Sequence, residues 1–240
     1  MTDTRTRVWS ILAILFVLSL AVQSCSDQYA GASIEGQVVD AESGKPLGGV
    51  VVVSVWQVSE GNLAGTNDGG QIQIQEAVTD SNGRYFFPAW GPLPFPQKKN
   101  GWWVDQYISA TEPGIIYFKG DYGFTTLSND ITVSRVSGFV GRSKWNGKTI
   151  PLERIDTRAE RVKMLQDADS YLYFAFDVDD ETCAWRRIPA MLTAVLRETE
   201  EFTKRNRPEL PNEFSGMLDR ETMLINRHCG SLRASSGGFR

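Results

Sequence analysis

The stretch from Val50 to Trp56 reads VVVVSVW, and few sequences of this kind have an alternative to the extended chain. Side chains branched at Cβ lose rotamer freedom in a helix and pack well on a pleated surface, so the run predicts a central β-strand. The residues before it support the same state. In IEGQVVD, Ile34, Gly36 and Val38 alternate with Glu35 and Gln37, the period-two pattern of a half-buried strand. AESGKPLGG between the two strands is turn chemistry: Gly44 can take positive φ and Pro46 sets its own φ near −65°.

Further along, TDSNGRYFF places Asn82-Gly83 between two strand segments and predicts a hairpin, with Tyr85 and Phe87 on one face. The connection QVSEGNLAGTNDGGQIQIQE (57–76) is polar and glycine-rich and predicts an exposed, extended hairpin or loop. PAWGPLPFPQKKNGWW (88–103) carries too much proline for a sheet interior. After it, YISA, GIIYFKG and ITVSRV read as short strands, and KWNGKTIPL offers a further hairpin turn at Asn146-Gly147.

These motifs together resemble the carboxypeptidase regulatory-like domain. The resemblance rests on G-x-V-V-D, G-K-P-L-G-G-V-V-V and T-D-S-N-G-R-Y and runs from about residue 33 to 90. It implies a transthyretin-like β-sandwich. The motif residues are turn formers and apolar spacers, which specify a fold and no active site. The peptidase activity of enzymes that carry such a domain is not implied, because no histidine stands at a ligand-like spacing from a glutamate.

Upstream lies MTDTRTRVWSILAILFVLSLAVQS. Arg5 and Arg7 precede an apolar run from Val8 to Val22, shorter than the ~20 residues a spanning helix needs, so an export signal is expected. The segment ends in LAVQSC. Val22, Ser24 and Cys25 resemble a bacterial lipoprotein signal, which implies acylation at Cys25, cleavage before it and stable anchoring by several acyl chains. A retained signal anchor and an ordinary secretory signal are the alternatives. By the same resemblance, Ser26 in place of aspartate favours the periplasmic face of the outer membrane. Residues 25–33 read as a tether, and the eight residues SDQYAGAS reach at most ~28 Å.

From Asp156 the apolar period changes to three and four. Val162, Leu165 and Tyr173, then Trp185, Ile188, Met191, Leu192, Val195, Leu196 and Phe202, form stripes expected to pack into a core. Pro189 is expected in the first turns of the second helix or at a kink. A third helix is expected to end at Gly230, and residues 231–240 read as a disordered tail. The expected fold class is therefore mainly β with α: a sandwich over 34–153, then a helical region over 154–230.

Composition narrows the function. The net charge is −4 with pI near 5.2, so no nucleic-acid partner is expected. His228 is the single histidine, which removes most histidine chemistry. With Cys25 acylated, Cys183 and Cys229 remain, and in an oxidising compartment they are expected to form a disulfide closing a loop of about 47 residues, worth ~4 kcal/mol. Asp177, Asp179, Asp180 and Glu181 lack the spacing of a calcium loop and suit a helix start instead. No catalytic residue, metal site or cofactor is expected. Trp90, Trp102 and Trp103 either cover a join in the core or stay exposed and bind a ligand.

The expected function is a non-enzymatic, membrane-tethered binding or structural module of the cell envelope. Its partners would be the membrane, through the N-terminal lipid, and an envelope protein or glycan. A carbohydrate-binding module using exposed tryptophans and an enzyme of unknown class are the rivals.

Overall fold

A computed structural model describes residues 28–62, 65–95, 105–109, 111–129, 140–173, 183–206 and 230–231. Its largest sheet is built on the apolar run. Strands β3 (Val51–Asn62) and β4 (Gly65–Val78) form a long antiparallel hairpin, and β8 (Gly114–Lys119) and β9 (Gly123–Leu127) follow on the other side of β3. Strand β7 (Asp105–Ile108) pairs with the far end of β3. The polar insertion 57–76 is thus the outer half of this hairpin.

The apolarity of the inner half of β3, Val51–Trp56, has a simple cause: both of its faces are covered. Val50, Val52, Trp56 and Val58 point into one core. Val51, Val53 and Val55 point into a second. Strands buried on both faces lose the polar alternation that marks a half-solvated one. In β8 the division repeats, with Ile115 and Tyr117 on one side and Ile116 and Phe118 on the other. Ile72 is an extra residue on β4, opposite the step from Trp56 to Gln57. It faces the first core, whereas Ile74 faces the second.

The first core is closed by a three-stranded layer split into two short sheets. One has the order β10 (Val140–Gly141), β1 (Gln28–Gly31), β6 (Trp90–Pro94). The other has the order β11 (Lys148–Leu152), β2 (Ile34–Asp40), β5 (Arg84–Phe87). Each strand of one sheet continues into the matching strand of the other. Strand β5 passes to β6 through Pro88-Ala89, where the proline cannot donate to a ladder. Two glycines of the central strand make room for aromatic rings: a Cβ on Gly36 would lie 2.6 Å from the Tyr85 hydroxyl, and one on Gly31 would collide with the Trp90 indole. Tyr85 and Phe87 do share a buried face, their rings 5.6 Å apart, and Tyr85 hydrogen-bonds Tyr117 hydroxyl to hydroxyl at 2.8 Å.

Three local expectations are corrected. Asn82-Gly83 makes no hairpin, because β4 belongs to the large sheet and β5 pairs with β2; the turn is a corner between layers. Gly83 takes φ +70°, and Asp80 Oδ1 accepts from the N–H groups of Asn82 and Arg84. Asn146-Gly147 likewise joins β10 to β11, which lie in different sheets. Finally, the tether expected over 25–33 is largely absorbed into the fold, since Gln28–Gly31 is the middle strand of a sheet.

The second core is closed by helices α1 (Arg158–Tyr171) and α2 (Pro189–Asn206), with a 3-10 turn at Ala184–Arg187. Thr157 and Glu160 cap α1 reciprocally. Met164, Leu165 and Ala168 bury one face of α1, and Leu172 follows them into the core. Met191, Leu192, Val195, Leu196 and Phe202 bury the predicted stripe of α2. Pro189 occupies the first position of α2, where its missing N–H costs nothing. The next two N–H groups donate to a side chain from the large sheet: Ala190 to Glu76 Oε2 at 2.9 Å and Met191 to Glu76 Oε1 at 2.7 Å. The expected third helix lies outside the described residues.

Candidate functional site

Two clefts of similar size flank the second core. One, about 360 Å³, is lined by Lys119, Asp121, Arg161, Glu198, Glu201 and their neighbours. Its charges largely satisfy one another: Arg161 pairs with Glu198 and Asp121, and Arg205 with Glu201, while Lys119 donates to the Gly48 carbonyl. That cleft reads as an ion-paired seam between sheet and helices.

The other cleft, about 350 Å³, is lined by Val55, Gln57, Asp68, Glu112, Gly114, Ser170, Tyr171 and Tyr173. Four elements converge on it. Strands β3 and β4 supply Gln57 and Asp68, the loop entering β8 supplies Glu112, and the end of α1 supplies the serine and tyrosines. Glu112 precedes Pro113 across a cis peptide bond.

Glu112 is held firmly. Its Oε2 accepts from the N–H of Gln57 at 3.2 Å and of Gly114 at 3.1 Å. Among the described residues its Oε1 takes no hydrogen bond. Asn129 fastens the loop behind it: Nδ2 donates to the carbonyls of Glu112 at 2.6 Å and Arg142 at 2.9 Å, and Oδ1 accepts from the N–H of Lys144 at 2.9 Å. The Asn129 N–H donates to the Thr111 carbonyl at 2.9 Å. One asparagine thus ties three segments together.

Burial of the Glu112 carboxyl pushes it up to about 7, against the pull of its two N–H donors, and the charge of Asp68 adds to the rise. Tyr171 is raised too, first by burial and then by the Glu112 charge. The Tyr171 ring meets Phe124 edge-on at 5.9 Å. A Cβ on Gly114 would approach the Tyr171 hydroxyl to 3.3 Å, so glycine keeps the floor open. Tyr171 and Tyr173 are 45% and 50% exposed. Tyr173, expected in the helical core, is a wall of this cleft instead.

The sequence-predicted site residues fall elsewhere. Trp90 is a correction: it is 8% exposed and packs against Trp56 at 5.4 Å and Tyr29 at 6.0 Å, inside the sandwich. It belongs to the sandwich core and does not cover the join with the helices. Cys183 is disulfide-bonded. Its expected partner Cys229, together with Cys25, Trp102, Trp103, His228 and the acidic run Asp177–Glu181, lies outside the described residues. Among the described residues no group of three or more His, Cys, Asp and Glu is placed to hold a metal ion, and no helix is long and apolar enough to cross a membrane.

Glu112, Asp68, Tyr171 and Asn129 escaped the sequence reading, which placed Tyr173 in the helical core. The acids stand in TNDGG and TEPG, both turn-like stretches, and nothing local distinguishes them from solvated loop charges.

No protein-family model matches the chain, and no curated protein does. Solved structures give weak similarities. A 3-chlorocatechol 1,2-dioxygenase from Rhodococcus opacus 1CP is 16% identical, with a TM-score of 0.26 over 55% of this chain and 62% of that one. A 9R-lipoxygenase from Cyanothece PCC8801 is 14% identical, with a TM-score of 0.20 over 77% of this chain and 25% of that one. At these scores neither bears on fold or activity.

Proposed function

We propose that the protein is a lipid-anchored binding module of the bacterial cell envelope, acylated at Cys25, with the Glu112 cleft as its ligand site. One observation carries the choice of site. A carboxyl group raised to about 7 takes N–H bonds from Gln57 and Gly114, on a loop that Asn129 fastens through the Glu112 carbonyl, and shares a concave surface with two half-exposed tyrosines. Fixed acceptors beside phenol rings suit a ligand rich in hydroxyl or amino groups, as envelope glycans are. The carbohydrate reading, expected for tryptophans of which Trp90 is buried and Trp102 and Trp103 lie outside the described residues, here takes in Tyr171 and Tyr173.

Two measurements test the proposal. Palmitate labelling and membrane fractionation should both be lost in Cys25→Ser; an unlabelled, soluble wild-type protein would end the anchoring half. Soluble peptidoglycan fragments titrated against the protein should shift the resonances of Tyr171 and Tyr173, and Tyr171→Ala should weaken binding without changing the fold. Shifts confined to other surfaces would end the cleft half.

An enzyme of unknown class is the second reading. It is favoured by Glu112 and Asp68, neighbouring carboxyl groups of which one is raised, since acid–base catalysts are built on such pairs. Mass spectrometry of the same fragments after incubation separates the two readings: cleaved fragments mean catalysis, intact ones binding.

A further inference from the structure

We infer that the folded domain is seated on the bilayer by the end of the sandwich where Gln28 pairs with Pro94, on a leash of only Ser26 and Asp27. The inference rests on the proposed acylation of Cys25.

An eight-residue tether would allow the domain to swing ~28 Å from the membrane. The structure withdraws most of that length. Gln28, Tyr29 and Gly31 pair antiparallel with Pro94, Leu93 and Trp90, while Ala30 and Gly31 pair parallel with Val140 and Gly141. Strand β1 is therefore bonded along both edges. The Tyr29 ring adds contacts with Trp56 at 6.1 Å, Trp90 at 6.0 Å and Phe95 at 6.4 Å. Peeling β1 away to lengthen the leash would break two ladders and open an aromatic cluster.

Three peptide links join Cys25 to Gln28, about 11 Å when fully extended. The lipid-bearing cysteine belongs at the boundary of the hydrocarbon, and the polar headgroup layer above it is itself about 5–8 Å thick. Gln28 is thus confined to the outer edge of the headgroups or just above them. The residues beside it must be there as well. They are Leu93, Pro94 and Phe95, an apolar trio left partly exposed, as a surface resting on lipid requires.

The seating also restricts what the Glu112 cleft can meet. Tyr29 lies against Trp56, and the next residue, Gln57, donates its N–H to Glu112. The cleft opens on the other face of the sheet but at the same height along β3 as the anchoring cluster, so it samples ligands at the membrane surface and not those deep in the periplasm. The opposite end of the sandwich is the corner at Asp80–Gly83, since β5 and β6 run continuously from Arg84 to Pro94.

The test uses full-length acylated protein in vesicles of phosphatidylethanolamine and phosphatidylglycerol, with nitroxide-labelled lipids as quencher. A fluorophore is placed through Pro94→Cys or Gln28→Cys near the leash, or through Ser81→Cys at the far corner. Melting curves show which labelled variants keep the fold, and the two near-leash sites back each other up. Quenching several-fold stronger near the leash than at position 81 is expected. Inserting a flexible Gly/Ser segment of about ten residues between Ser26 and Asp27 should erase the difference while the protein still floats with the vesicles. Equal quenching at both ends in floated protein overturns the seating and leaves the anchor standing. Protein that carries no acyl group and does not float overturns both.

Discussion

Replacing Glu112 by glutamine offers a direct test of how the candidate site is built. Glutamine keeps the shape and an acceptor oxygen for the N–H groups of Gln57 and Gly114, but it never ionises. In the unfolded chain the carboxyl titrates at its ordinary value of 4.5, and in the fold at about 7. Below the lower value both states are protonated and the fold keeps its full stability. Between the two values the unfolded chain gives up its proton while the fold still holds it, so stability falls as pH rises and levels off once pH has passed about 7. The difference between 4.5 and 7 corresponds to about 3 kcal/mol, and partial exposure to water reduces it to ~2 kcal/mol. Urea unfolding at intervals from pH 4 to 8 reads this directly. Wild type and Glu112→Gln should match near pH 4, and the variant should be the more stable by ~2 kcal/mol at pH 8. Glu76, also raised by burial, is present in both proteins and cancels in the comparison. A gap that stays constant with pH would refute the reasoning, as would a wild type more stable than the variant at pH 8.

Glu76→Ala should destabilise the protein by about 1–3 kcal/mol, because the N–H groups of Ala190 and Met191 lose their carboxylate, and amide exchange should accelerate first in the opening turn of α2. Asn129→Ala removes three side-chain hydrogen bonds, about 2–3 kcal/mol together, and should let the Glu112 carboxyl return toward 4.5 in an NMR titration; an unchanged titration would show that the loop holds itself. Non-reducing peptide mapping should join Cys183 to Cys229, and Cys183→Ser should lower the melting temperature; a link to any other thiol would overturn the pairing.

The strands and stripes were legible in the sequence because their causes are local. Val50–Trp56 can only be extended, and Met191, Leu192, Val195 and Leu196 repeat at the period of a helix, so each element followed from the residues inside it. The class, mainly β with helices, followed from their order. What the turns connect was decided elsewhere. Asn82-Gly83 supplies the same positive φ whether the chain folds back beside itself or crosses to another layer, and only the pairing of β5 with β2 selects the crossing. Trp90 looked the same in sequence whether exposed or buried. It became a core residue because Gly31, 59 positions earlier, leaves space for its indole. The tether, too, was a run of small and polar residues until Tyr29 found Trp56, Trp90 and Phe95. The Glu112 cleft is the extreme case. Its acids, tyrosines and asparagine come from four separate stretches of chain, and a carboxyl is raised or left ordinary by what surrounds it in space, which no spacing of letters encodes.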